Sequence, residues 1–107
     1  MQLSDDGVRD HLRGVATGLL TPFDEDGEII HEQIAENART LVGKGIGTFL
    51  ATANISEYHS LSQAERIAAA ETAVEALPDD VCVLAGVGGS TAAAQDLVEA
   101  YDDIGVD

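Results

Sequence analysis

The sequence predicts an α/β fold in which three successive strand–helix units lay their strands side by side as a parallel sheet. Three observations predict it. Short apolar runs with β-branched members recur near residues 14–20, 46–51 and 81–87, each followed by a loop and then by apolar residues at helical spacing. Cap and stop residues fall where those helical stretches begin and end. Finally, 45% of the 107 residues are hydrophobic, yet there are only two Phe, two Tyr and no Trp. The core is therefore built from Val, Ile, Leu and Ala, a composition that lets helices pack closely on strands.

Residues 5–13 read as a short leading helix ahead of the first strand, which Thr21-Pro22 ends. Asp24-Glu25-Asp26-Gly27 is turn chemistry, and Ile30, Ile34, Ala38, Leu41 and Val42 then share one helical face up to the Gly43-Lys44-Gly45 stop. After the second strand and a loop, Ser62-Gln63-Ala64-Glu65 is a capping box, in which each side chain satisfies the other residue's backbone N–H. Its helix carries Ile67, Ala70, Val74 and Leu77 inward and closes at Pro78. The third strand leads through Gly86-Val87-Gly88-Gly89 to a third main helix, capped by Ser90 or Thr91, with Ala94, Leu97, Val98, Tyr101 and Ile104 on one face and Gly105 as its stop. Val106-Asp107 is expected to enter a fourth strand. Such alternation predicts right-handed crossovers and strands covered on both faces. An open doubly wound sheet and a closed barrel both fit it.

Twenty acidic residues against five basic ones leave a formal charge of −15, spread along the chain. A field of that sign repels phosphate backbones and anionic membranes, so neither nucleic acid nor a membrane is an expected partner. Scarce lysine beside abundant Asp and Glu points to a protein of a salt-adapted organism, where self-repulsion is screened within a few ångströms. The first residues lack a basic and an apolar signal region, and no run of about 18 apolar residues occurs, so a cytoplasmic location is expected. The lone Cys82 lies in an apolar run and reads as a small buried hydrophobe.

In either architecture the chemistry gathers on loops at the carboxyl ends of strands. The loop after the second strand is the most informative. Ala53-Asn54-Ile55-Ser56-Glu57-Tyr58-His59 crowds polar, aromatic and titratable groups where a minimal connection requires none. Gly86-x-Gly88-Gly89 lacks the third glycine of a dinucleotide fingerprint, since position 91 is Thr, and reads as a tight turn. Asp24-x-Asp26-Gly27 fails as a calcium loop, because Ile29 and Ala35 stand where Gly and Glu are needed. His11, His31 and His59 are far apart without carboxylates at ligand spacing, so no metal site is expected. Lys44, the single lysine, lies in a helix-to-strand turn at the end of the fold that serves stability, where nothing depresses an amine pKa.

Gly18-Leu19-Leu20-Thr21-Pro22-Phe23 with its Asp-Gly turn, Glu57 ahead of Ser60-Leu61-Ser62-x-x-Glu65-Arg66, and Ala85-Gly86-Val87-Gly88 together resemble the dihydrodipicolinate synthase and N-acetylneuraminate lyase family, from about residue 14 to 107. The resemblance implies a (β/α)₈ TIM barrel of which residues 1–107 are the N-terminal three units of a single domain, truncated before strand 4, in a protein that forms homo-oligomers, commonly tetramers. It implies a class I aldolase or lyase acting on pyruvate or a 2-keto-3-deoxy sugar acid held as a Schiff base. The imine serves as electron sink, so no separate cofactor is expected. The Schiff-base lysine and a proton-relay tyrosine would lie beyond Asp107, and residues 1–107 alone are expected to be inactive. The substrate-binding positions are Asn54, Ile55, Ser56 and Glu57. Here the sequence departs from the family's Gly-Thr-Thr-Gly-Glu: both threonines are replaced, Asn54 keeps a polar side chain, and Ile55 offers only its backbone N–H. Glu57-Tyr58-His59-Ser60-Leu61 is closer to the branch that dehydrates keto-deoxy sugar acids. The alternative is a non-enzymatic acidic α/β binding module on the same scaffold.

Overall fold

A computed structural model describes residues 2–107. Helix α1 spans Asp5–His11, strand β1 Ala16–Gly18, helix α2 His31–Gly43, strand β2 Thr48–Leu50, helix α3 Gln63–Ala76, strand β3 Cys82–Leu84 and helix α4 Thr91–Ile104. The strands form one parallel sheet in the order β1-β2-β3, with Thr17 opposite Phe49 and Phe49 opposite Val83. This is the alternating α/β fold that the sequence predicts.

The regular strands are shorter than their apolar runs, but the ladder continues past them: Leu19 N–H donates to the Leu50 carbonyl at 3.0 Å and Ala51 N–H to Leu84 at 2.8 Å. Cys82 N–H donates to Gly47 at 2.9 Å. Asp107 N–H donates to the Val83 carbonyl at 2.9 Å, which sets the last residue against the outer edge of β3. β1 has β2 on one side only, and at its amino end Val15 is 70% exposed, against the buried strand expected for 14–20.

Helix ends follow their cap chemistry. Ser62 Oγ accepts from Glu65 N–H at 3.2 Å and the Glu65 carboxylate accepts from Ser62 N–H at 2.9 Å, so the capping box closes as expected. Ser90, not Thr91, caps α4, its hydroxyl accepting from Ala93 N–H at 3.2 Å. Gly105 ends α4 at φ 93°, a conformation that glycine adopts without steric cost. Ile30 falls one residue outside α2, at its N-cap.

One apolar cluster fills the space between helices and sheet, with Leu19, Phe49 and Val83 from the strands and Ile34, Ala38, Ala70, Ala73, Leu97 and Tyr101 from the helices. Phe49 is wholly buried, and burying such a side chain contributes about 3 kcal/mol. Three alanines, Ala69, Ala70 and Ala73, form the buried stripe of α3 and give it close contact with its neighbours. Val98 departs from the expected apolar face of α4: it is 53% exposed, one position round the helix from the buried Leu97. No described helix is long and apolar enough to cross a membrane.

Candidate functional site

The parallel arrangement brings the loops after β2 and β3 to the same end of the sheet. A polar triangle locks their bases together. Gly86 N–H donates to Thr52 Oγ1 at 2.8 Å, the Tyr101 hydroxyl donates to the Gly86 carbonyl at 3.2 Å, and Thr52 Oγ1 and Tyr101 Oη lie 3.3 Å apart. Burial is the main reason the Tyr101 hydroxyl has its pKa raised, so it stays neutral and serves as a structural donor. Tyr101 was expected only as part of an apolar helix face. The signal available in the sequence was a tyrosine where that face needed only an aliphatic residue.

Above this base the chain makes two 3₁₀ turns, Asn54–Ser56 and Tyr58–Ser60. Glu57 joins them at φ 60° and ψ 38°, the only left-handed non-glycine residue among those described. Such a conformation costs about 1–2 kcal/mol in an L-residue with a Cβ, and strain of this kind collects at functional loops. No short-range rule forecast it, because a glutamate carries no preference for that region.

The four residues expected to bind substrate take four different places. Asn54 lines a cavity of about 470 Å³ together with Thr52, Tyr58, His59, Arg66 and the turn at Gly86–Gly89. Ile55 is 60% exposed and faces a second, apolar groove with Leu20 and Leu41. Its Cγ2 sits where a side chain at Gly18 would begin, so the bare end of β1 seats it. Ser56 is fully buried: its hydroxyl donates to the Leu19 carbonyl and accepts from Ala53 N–H at 3.2 Å, and its carbonyl accepts from Thr21 Oγ1 at 2.6 Å. The hydroxyl and carbonyl of Ser56 thus tie the loop to the end of β1. Glu57 is exposed at the hinge between the two turns.

The cavity wall beyond Asn54 holds Tyr58 and His59, part of the loop group that the sequence singles out, together with Arg66, which was not expected there. The Arg66 guanidinium carbon stands 3.8 Å from the centre of the Tyr58 ring, and Arg66 Nε–H donates to the Tyr58 carbonyl at 3.1 Å. His59 meets the same ring edge-on at 5.3 Å. Tyr58 is only 7% exposed, and its hydroxyl has no hydrogen-bond partner among the described residues. An unsatisfied buried hydroxyl costs about 1–3 kcal/mol. Arg66 was legible in the sequence only as part of the helix-start motif. It lies in the first turn of α3, close enough in sequence to return its side chain to the Tyr58 carbonyl.

The other histidines serve the scaffold. His11 places Nδ1 at 2.8 Å from the Gly7 carbonyl and Nε2 at 2.8 Å from Asp80, while His31 Nδ1 lies 2.7 Å from Thr72 Oγ1. Cys82 is buried, and desolvation followed by the nearby Asp107 carboxylate raises its thiol pKa, leaving an inert thiol. Among the described residues no three His, Cys, Asp or Glu side chains are grouped so as to hold a metal ion.

The sequence profile of the dihydrodipicolinate synthetase family matches residues 11–107. A 4-hydroxy-tetrahydrodipicolinate synthase of Porphyromonas gingivalis is 35% identical over 100 residues, which are 92% of this chain and 34% of that protein. A probable 5-dehydro-4-deoxyglucarate dehydratase of Oceanobacillus iheyensis is 31% identical over 99 residues, 89% of this chain and 32% of its own length. Among solved structures, the dihydrodipicolinate synthase of Bacillus clausii superimposes with a TM-score of 0.89 at 29% identity, over 94% of this chain and 34% of that one. YagE of Escherichia coli K12, a family member solved in complex with pyruvate, gives a TM-score of 0.82 at 26% identity, over 88% of this chain and 32% of YagE. The chain thus spans about a third of the length of the relatives it matches.

Proposed function

The chain belongs to the dihydrodipicolinate synthetase family, and from that membership we propose that it is the N-terminal part of a barrel lyase that acts on pyruvate or a 2-keto-3-deoxy sugar acid held as a Schiff base. The observation that carries the reading is the position of the 53–57 loop. It stands at the carboxyl end of β2, with its shape fixed by Ser56 and the strained Glu57 and with Asn54 turned to the cavity. In this reading the Asn54 amide and the backbone N–H of Ile55 meet the keto-acid carboxylate, Ser56 and Glu57 position them, and the Schiff-base lysine and proton-relay tyrosine follow Asp107 in a longer chain. Lys44 does not serve as that lysine. It lies exposed at the C-cap of α2, where the chain enters β2 from the end opposite the loop.

Two features of the loop favour the dehydratase branch over the synthase, the loss of both threonines and the stretch Glu57-Tyr58-His59-Ser60-Leu61, although synthase relatives match at 35% identity and the glucarate-type dehydratase at 31%. The family resemblance also supports a homo-oligomer of the complete protein. Borohydride reduction in the presence of pyruvate tests the reading directly. Protein from the native source is expected to be heavier than the 107-residue chain and to gain one pyruvyl adduct, whereas residues 1–107 alone gain none. An unmodified native species of 107 residues would overturn it.

A further inference from the structure

The loop that carries the proposed keto-acid contacts is anchored to the end of β1 in two ways. Ser56 ties it by hydrogen bonds to Leu19 and Thr21. Ile55 ties it by shape. A Cβ built on Gly18 would collide with Ile55 Cγ2, yet it would stand 3.8 Å from Ile55 Cβ, an ordinary contact. The bare backbone at Gly18 is therefore fitted to one methyl group. Backbone freedom does not account for this glycine: the glycines with positive φ are Gly27, Gly45, Gly89 and Gly105, whereas Gly18 lies in a strand opposite Leu50. Glycine weakens a strand, and where one is kept another group commonly approaches closely.

Ile55 has little freedom to step aside. A β-branched side chain is stiff at χ1, and its backbone is held between neighbours, with Ser56 N–H donating to the Ala53 carbonyl and Glu57 N–H to the Asn54 carbonyl, each at 3.0 Å. Core packing does not explain the contact either, because Ile55 stays 60% exposed. We propose that Gly18 is a positioning residue, which acts through the Ile55 methyl to fix the pose of the Asn54–Ile55 turn that meets the substrate carboxylate. Gly18 and Ile55 then work as a matched pair. The proposal rests on the keto-acid reading for the ligand but on the geometry of β1 and the loop for the pairing. Its effect falls on substrate binding and not on the rate of imine formation, since neither residue supplies the amine.

Gly18→Ala, Ile55→Ala and the double variant, made in the complete protein, test the pairing. Each is titrated with pyruvate, and borohydride trapping gives the half-saturating concentration and the maximal rate of adduct formation. Gly18→Ala is expected to raise half-saturation by about tenfold, with the maximal rate within about twofold of the parent. Ile55→Ala is expected to raise it by less, and the double variant to match Ile55→Ala, because the added Cβ then meets only the Cβ at position 55. Where Gly18→Ala alone does not fold, recovery of folding in the double variant supports the pair and failure of both overturns it. Unchanged half-saturation in Gly18→Ala, or a penalty that persists in full once residue 55 is alanine, would also overturn it. A parent protein that takes no pyruvyl adduct fails the keto-acid reading instead. The pairing is then judged by NMR on the isoleucine methyl groups, with the Ile55 signal identified by its loss in Ile55→Ala: a shift in Gly18→Ala supports the seat, and an unmoved signal overturns it.

Discussion

The two ends of the sheet treat polar groups in opposite ways. At the amino end of the strands the polar groups named here find hydrogen-bond partners. The His11 ring lies between the Gly7 and Asp80 carbonyls, its N–H donating to one of them, and its own carbonyl accepts from Thr48 Oγ1 at 3.1 Å. The Asp107 carboxylate accepts from Leu3 N–H at 2.5 Å and Val83 N–H at 2.9 Å, and the Gln2 amide donates to Asp102 and to the Val106 carbonyl. At the carboxyl end a buried hydroxyl lacks a partner, a glutamate holds a left-handed backbone, and an arginine stacks on a ring with no carboxylate beside it. The first end is built for stability and the second retains groups that stability alone would have removed.

If that contrast holds, substitutions at the two ends change stability with opposite sign. Asp107→Ala strips two backbone donors of a charged acceptor and is expected to destabilise the chain by about 2–3 kcal/mol, read as a lower urea midpoint; an unchanged midpoint would break the comparison. Glu57→Gly relieves the left-handed strain and is expected to stabilise by about 1 kcal/mol, with the midpoint rising. A fall there would mean that the Glu57 side chain supports the fold. The smallest effect concerns Glu65, whose carboxyl pKa is lowered first by the Ser62 backbone N–H and then by the Ser62 side chain. A depressed folded pKa gives stability that is present above the unfolded value, near 4.3 for glutamate, and lost as pH falls through the folded value. Stability at neutral pH is therefore expected to exceed that in acid by an increment that Glu65→Gln abolishes; the same acid loss in the variant would detach the effect from this cap.

How much of this was legible in the sequence follows the range of the interactions. Ser62 and Glu65, Gly105 and the stripe of Leu97 and Tyr101 are set by neighbours within a turn or two, and the sequence reading placed them correctly. Burial depends on what lies alongside, so Val15 ahead of β1 and Val98 on α4 were expected inside and lie exposed. In the loop, the spacing marked residues 53–59 as a group but could not separate them. Asn54 turns to one cavity, Ile55 to another, and Ser56 into the core, because those directions come from Gly18, Leu19 and Thr21, some 35 residues earlier. Arg66 and the Thr52–Gly86–Tyr101 triangle needed three elements placed in space before they could be read as a unit.

The bond from Leu3 to Asp107 joins residues 104 apart, and it sets an order of events during synthesis. Contacts of such separation must wait for the chain between them. While residues up to about 100 are emerging from the ribosome, the leading segment has no Asp107 to receive it, and β3 has only β2 for company. The arm therefore docks only once Asp107 is available, after β3 has been made.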